Sequence, residues 1–173
     1  WALLAADLDK SIASAREKAV KAGADSYYPE QFALAGTAAD EMRNLRTSGD
    51  NASSYDAAQK ALLRYQFLLK GTEAVALKKK IEQNQFVQYA PDDFALAGTK
   101  YDEATSAYGT SDAAALESMA ESVRLYGVVN NAGYKVWTKD MAAKADEVRG
   151  LCDSIKAQKS MKDAYGSAAV LYS

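Results

Sequence analysis

Apolar residues in the first stretch of the chain recur every three or four positions: Leu4, Leu8, Ile12, Ala15, Ala19 and Ala22. That is the period of a helix burying one stripe. Asp7, Asp9, Lys10, Arg16, Glu17 and Lys18 fall mostly off the stripe, and Gly23 with Asp25-Ser26 ends it. Pro29 then fits the first position of a new helix, where its missing amide loses no partner. Glu30 beside it complements the helix dipole. Phe32, Ala35, Ala39 and Met42 resume the helical spacing until the turn Ser48-Gly49-Asp50-Asn51. From Tyr55 to about Gln88 no strong stop appears, so a helix of roughly 50 Å is predicted, with Gly71 as its weak point. After Pro91 the pattern returns as Phe94, Ala97, Tyr101 and Ala104, then the turn Tyr108-Gly109-Thr110-Ser111. A second long helical stretch runs from Asp112 to about Ile155, interrupted at Asn130-Asn131 and Gly133. Its second half carries Trp137, Met141, Ala145, Val148, Cys152 and Ile155 on one stripe. No alternating strand pattern occurs, so the chain is predicted to be all-α.

The same letters return at a spacing of 62 residues. Phe32-Ala33-Leu34-Ala35-Gly36-Thr37 reappears as Phe94-Ala95-Leu96-Ala97-Gly98-Thr99, and Asp40-Glu41 as Asp102-Glu103. The two prolines, Pro29 and Pro91, hold the same place in this unit. Tyr27 matches Tyr89, Gly71 matches Gly133, and with small deletions Gly49 matches Gly109 and Tyr65 matches Tyr126. These matches predict tandem helical hairpins from a duplicated unit, stacked as an elongated bundle or short solenoid. One domain over 1–173 is expected, with repeats at about 15–76 and 77–138 and a degenerate closing segment at 139–173, since terminal units that cap a stack are atypical.

Alanine and glycine on the inward stripe let helix axes approach closely. Pro29, Phe32, Gly36, Pro91, Phe94 and Gly98 are therefore read as structural, with Gly36 and Gly98 as close-contact points. Neither glycine belongs to a phosphate loop, because no strand precedes it and the lysine-bearing spacing is absent.

Composition narrows the chemistry further. There are 21 basic and 23 acidic residues, a net charge of −2, no histidine and one cysteine. Such a balance argues against a nucleic-acid groove. The lack of histidine removes the commonest general base and zinc ligand. Cys152 has no histidine with which to form a nucleophile, and it is read as a small buried hydrophobe. The adjacent acids at 40/41 and 102/103 diverge around their helix and read as solvated faces, and Lys78-Lys79-Lys80 reads as a solvated run. No stretch approaches the ~20 apolar residues that span a bilayer. No cofactor, metal site or catalytic residue is expected.

Tyrosine stands out, with 11 copies. Its amphipathic ring suits positions that are apolar at one end and wet at the other, and it is enriched at binding hot spots. Tyr28, Tyr65, Tyr89, Tyr126, Tyr134 and Trp137 are accordingly the candidate binding residues. The alternative for these rings is to wedge helices apart at bends.

Taken together, the segment from Ala15 to Phe32 and the repeated Pro-acidic-x-Phe-Ala-x-Ala unit resemble alanine-rich helical-repeat envelope lipoproteins and periplasmic proteins of spirochaetes of the Treponema kind. A more distant similarity is to tetratricopeptide arrays, although the period of 62 differs from theirs and their Trp, Gly and Tyr positions are not filled. The resemblance implies a non-enzymatic scaffold or interaction module of the bacterial cell envelope, whose partner is another envelope protein or a cell-wall component. A carrier of a small hydrophobic ligand or lipid, with a cleft lined by Tyr65, Tyr126, Tyr134 and Trp137, is the alternative. The chain opens on Trp1 without a methionine, which reads as a mature or trimmed fragment. A periplasmic location, or a membrane anchor on an N-terminal signal since removed, is the corresponding expectation. The apolar stripes can pack within one chain or between chains.

Overall fold

The computed structural model describes residues 2–154 and 161–172, the side chains of 2–6, 165 and 172 excepted. Leu4 and Ile155 of the two outer stripes thus lie outside the described side chains. The described chain is all-helical, without a strand. It comprises α1 (Ala2–Lys21), a single turn α2 (Ala24–Tyr27), α3 (Pro29–Thr47), α4 (Asn51–Gln83), a 3-10 turn (Phe86–Tyr89), α5 (Pro91–Ala107), α6 (Asp112–Ser154) and α7 (Lys162–Tyr172).

The element boundaries follow from identifiable residues. Pro29 and Pro91 each open a helix, preceded by Tyr28 and Ala90 in non-helical conformations. Asp50 caps α4 by accepting a hydrogen bond from the Ser53 amide, which satisfies one of the orphan donors of a helix start. Gly49 and Gly109 take φ of 85° and 86° at the hairpin turns, a region open to glycine without a Cβ penalty. Gly23 and Gln85 also lie in the left-handed region, at φ 79° and 57°. Lys21 and Gln83, which end α1 and α4, are 62 positions apart. So are Gly23 and Gln85, Ala24 and Phe86 at the start of the single turns, and Pro29 and Pro91.

The chain divides into two compact units, Trp1–Asn130 and Asn131–Ser173. In the first, α1 and α3 both pack on α4. The core is small and dense. Ala35, Ala58, Ala61, Ala97, Ala104 and Ala115 are buried together with Tyr65, Phe67, Leu68, Ile81, Met119 and Tyr126. Of the α1 stripe, Ile12, Ala15 and Ala19 are buried and Leu8 is half-buried, while Ala22 is exposed just past the helix end. Two buried hydroxyls bond to backbone across helices: Ser54 Oγ to the Met42 carbonyl at 2.9 Å and Ser122 Oγ to the Ala97 carbonyl at 2.8 Å.

Neither predicted weak point breaks its helix. α4 runs through Gly71, and α6 runs through Asn130-Asn131 and Gly133. At Gly71 the reason is a ring. A methyl group there would stand 2.9 Å from the Tyr28 hydroxyl and 3.1 Å from two ring carbons, so the missing Cβ admits the tyrosine. Gly71 is therefore a closer contact point than Gly36 or Gly98. At Gly36 and Gly98 an added methyl would meet the hydroxyls of Tyr65 and Tyr126 at an ordinary 3.8 and 3.9 Å.

In the second unit the described apolar stripe of α6 is largely solvent-facing. Trp137 is 55% and Val148 58% exposed, Met141 is exposed, and Ala145 and Cys152 are half-buried. Cys152 is a free thiol, half-buried rather than the fully buried hydrophobe its spacing predicts. In α7, Val170 and Leu171 are also exposed.

Candidate functional site

A groove of about 920 Å³ lies between α1 and α3, both of which rest on α4. One wall is Asp9, Ile12, Ala13, Arg16, Glu17, Val20 and Lys21 of α1. The other is Gly36, Ala39, Asp40, Met42, Arg43 and Arg46 of α3, and Tyr65 of α4 completes the lining. Residues three and four apart on a helix share a face, which is why Asp9, Ile12, Arg16 and Val20 line up along it. The absent side chain at Gly36 leaves room over Tyr65, whose ring meets Phe32 edge-on at 5.5 Å.

Charge in the groove is mostly neutralised locally. Glu17 pairs with Lys21 at 2.6 Å, Asp40 pairs with Arg43, and Asp9 takes a two-pronged contact from Arg46 at 2.6 and 3.1 Å. All three groove carboxylates are thereby engaged. Arg16 sits elsewhere, with its guanidinium over the Phe32 ring at 5.8 Å, a favourable cation–π placement. It also lies beside the Tyr65 hydroxyl: burial raises that phenol above its usual range, and the guanidinium pulls it back down.

The equivalent region 62 residues on is closed. Tyr28 lies against Gly71 of α4, and its hydroxyl bonds to the hydroxyl of Tyr101 on α5 at 2.7 Å. Beneath them Tyr126 meets Phe94 edge-on at 5.5 Å, as Tyr65 meets Phe32. Ala39 stands at the position of Tyr101, Asp9 at that of Gly71, and Val20 at that of Glu82. Burial pushes the Tyr126 hydroxyl up to about 12, helped by the negative charges of Glu82 and Asp102. The two floor tyrosines thus share one packing geometry and differ in electrostatics: Arg16 opposes the rise at Tyr65, to which Asp40 adds, whereas Glu82 and Asp102 both add to the rise at Tyr126.

The turn after α5 binds back onto the first hairpin. Arg64 of α4 bonds to Asp112 at 2.8 Å and to the Leu34 carbonyl at 3.1 Å. Tyr108 packs at a tilt against Phe67 with centroids 4.6 Å apart and donates its hydroxyl hydrogen to the Gln31 carbonyl at 2.7 Å. This cluster is structural: it joins consecutive hairpins and leaves few free polar groups.

Of the six candidate binding aromatics, Tyr28, Tyr65 and Tyr126 are buried, Tyr134 is half-buried, and Tyr89 and Trp137 are exposed. Tyr65 lines the groove, and the other five do not. Tyr65 and Tyr126 are each paired with the phenylalanine of their own hairpin, while Tyr134 and Trp137 pair with each other at 6.3 Å in the second unit. Sequence reasoning placed Arg16 off the apolar stripe and did not single out Val20. Within the matching segments, Ala38 and Ala39 stand where Lys100 and Tyr101 follow 62 positions on.

Among the described residues no cluster of carboxylates or cysteine is arranged to hold a metal ion. No described helix is long and apolar enough to cross a membrane.

No family model matches the chain, and no solved structure matches it. Over 167 residues, 96% of its length, the chain is 25% identical to Treponemal membrane protein A of Treponema phagedenis and covers 48% of that protein. The chain therefore spans about half the length of this curated relative, and what it resembles is a spirochaete membrane protein.

Proposed function

We propose that the chain is a non-enzymatic interaction module of the bacterial cell envelope, built from two copies of one helical hairpin, whose contact element is the groove between α1 and α3. The observation that carries the reading is the groove itself, left open where its counterpart is plugged by a tyrosine pair. The 62-residue spacing of helix ends and left-handed turns supports the duplication. The similarity to a spirochaete membrane protein supports the envelope location. Within the groove the carboxylates are held in ion pairs and no imidazole or thiol is present, which favours recognition over turnover.

The groove favours a segment of another protein over a small molecule. Small-ligand sites enclose most of the ligand surface, whereas the rim side chains Glu17, Lys21, Asp40 and Arg43 are 64–73% exposed. The experiment is photo-crosslinking from a benzoylphenylalanine placed at Ala13, in the native envelope fraction. We expect a discrete protein adduct that disappears when Ala39→Tyr fills the groove. Crosslinking that is absent, or unaffected by that substitution, contradicts the reading.

A further inference from the structure

Four cations line the groove, and three of them are matched by its three carboxylates. Arg16 has rings for neighbours, the face of Phe32 and the hydroxyl of Tyr65. A guanidinium held over an aromatic face keeps its edge donors directed elsewhere, in a fork that matches a carboxylate. Around it Ala13 and Val20 are exposed, Val20 at 40%, and Ile12, Ala39 and Met42 lie buried behind them as an apolar backing. From Asp9 to Lys21 the trough is about 18 Å long at 1.5 Å per helical residue. That accommodates about five residues of extended chain at ~3.3 Å each.

We propose that the α1–α3 groove binds an extended acidic peptide segment of a partner protein, with one side-chain carboxylate on Arg16 and a neighbouring apolar side chain on the apolar strip at Ala13 and Val20. This rests on the reading of the chain as an interaction module and names the partner's chemistry. The apolar strip selects a peptide over an anionic glycan, which has no aliphatic side chains to bury there. The second groove supplies the contrast. Glu82 replaces Val20 there and Tyr101 fills the space over Tyr126, so an acidic segment meets repulsion and no room.

The test uses the full chain and two end-capped pentapeptides, Gly-Leu-Glu-Phe-Gly and its Gln analogue, titrated by calorimetry and by amide NMR shifts. The glutamate peptide is expected to bind about tenfold more tightly than the glutamine peptide, as a charged hydrogen bond requires, with shifts confined to α1 and α3. Arg16→Gln should erase that preference while leaving the glutamine peptide unchanged, and Arg16→Lys should restore part of it. Ala39→Tyr should abolish binding of both. Because Ala39 is nearly buried, Val20→Glu provides a second, surface variant, which should weaken the glutamate peptide selectively.

Equal binding of the two peptides, blocked by Ala39→Tyr, overturns the acidic assignment and leaves the interaction module standing. Binding that survives both Ala39→Tyr and Val20→Glu places the site elsewhere and overturns the proposal. No binding of either peptide at millimolar concentration also overturns it, and groove-dependent crosslinks from Ala13 then separate that failure from failure of the module itself.

Discussion

The two helix pairs of the first unit begin from nearly the same letters and end in opposite states. Around Tyr65 the space between α1 and α3 is open, bordered by a guanidinium and an apolar wall. Around Tyr126 the corresponding space holds the joined hydroxyls of Tyr28 and Tyr101 and is ringed by carboxylates. The parts that set the backbone are shared: prolines at the helix starts, the phenylalanine edge-on to a tyrosine, the glycine above that tyrosine, and left-handed turns at Gly49 and Gly109. The parts that differ are single side chains. Ala39 against Tyr101, Asp9 against Gly71, and Val20 against Glu82 distinguish the two grooves, and Tyr28 supplies the other half of the plug.

The largest expected effect concerns the two arginine–aspartate bridges. Arg64–Asp112 joins consecutive hairpins and is nearly buried, with side chains 14% and 9% exposed; Arg46–Asp9 borders the open groove and is much more exposed. Removing one partner of a buried pair strands the other charge, which costs about 3 kcal/mol or more. An exposed pair is worth about 1 kcal/mol or less. Arg64→Met is therefore expected to lower stability by about 3 kcal/mol in urea denaturation, and Arg46→Met by about 0.5 kcal/mol. Equal losses would erase the distinction between a welded hairpin junction and a loose groove rim.

Next comes the plug. Tyr101→Ala removes a half-buried ring and leaves the Tyr28 hydroxyl without its partner, an expected loss of about 2–3 kcal/mol. Ala39→Tyr, the reciprocal change, enlarges a buried alanine that borders the groove and is expected to cost about 1 kcal/mol, less than the loss at Tyr101. Thermal unfolding of both variants checks the pair. A severe loss from Ala39→Tyr would mean that the first groove cannot adopt the geometry of the second.

Glycine substitutions sharpen the comparison at smaller scale and with opposite signs. At Gly36 and Gly98 an added methyl finds ordinary contact distances, so the gain in helix propensity should dominate. Each Gly→Ala there is expected to stabilise by about 0.5–1 kcal/mol. Gly71→Ala drives a methyl into the Tyr28 ring. That ring cannot retreat, being buried and tied to Tyr101, so a net loss of about 1–2 kcal/mol is expected. Pairing Gly71→Ala with Tyr28→Ala should cancel most of the clash, since the ring is its cause.

These sites also show what the letters could and could not reveal. Helix class, the hairpin turns at Gly49 and Gly109, and the roles of Pro29 and Pro91 follow from local rules of period, propensity and φ, and all were legible. Gly71 was legible only as a weak point, because its partner Tyr28 lies 43 positions earlier and no local rule links them. The left-handed Gln85 was invisible, since glutamine gives no sign of positive φ; its relation to Gly23 emerges only from their matching positions. The Tyr28–Tyr101 bond spans 73 residues, and the groove needs α1 and α3 side by side on α4. Both are products of tertiary packing. Tyrosine enrichment singled out rings of which Tyr28, Tyr65 and Tyr126 are buried in the core, and Arg16, outside the apolar stripe, is the groove cation without a carboxylate of its own. In the second unit the helical period from Trp137 to Cys152 was legible, yet period alone does not say whether a stripe is covered, and most of this one is exposed.

The smallest expected effect is electrostatic and separates the two floor tyrosines. Below pH ~10 both phenols are neutral in the folded and the unfolded chain, and neither contributes a pH dependence. Above that, an unfolded tyrosine ionises while Tyr126 resists until about 12. The unfolded state then binds fewer protons than the folded one, so stability falls as pH rises between those values. Tyr126→Phe is expected to flatten that slope. Tyr65 is also raised by burial, but Arg16 opposes the shift, so its share of the slope is held down by a cation. Arg16→Gln should move Tyr65 further up and steepen alkaline destabilisation, with Tyr126 unaffected because its charged neighbours are Glu82 and Asp102. Phenolate absorbance during a pH titration, with each tyrosine replaced by phenylalanine in turn, resolves the two. A Tyr65 titration that ignores Arg16 would remove the guanidinium from the floor of the groove, and with it the asymmetry that distinguishes the open groove from the plugged one.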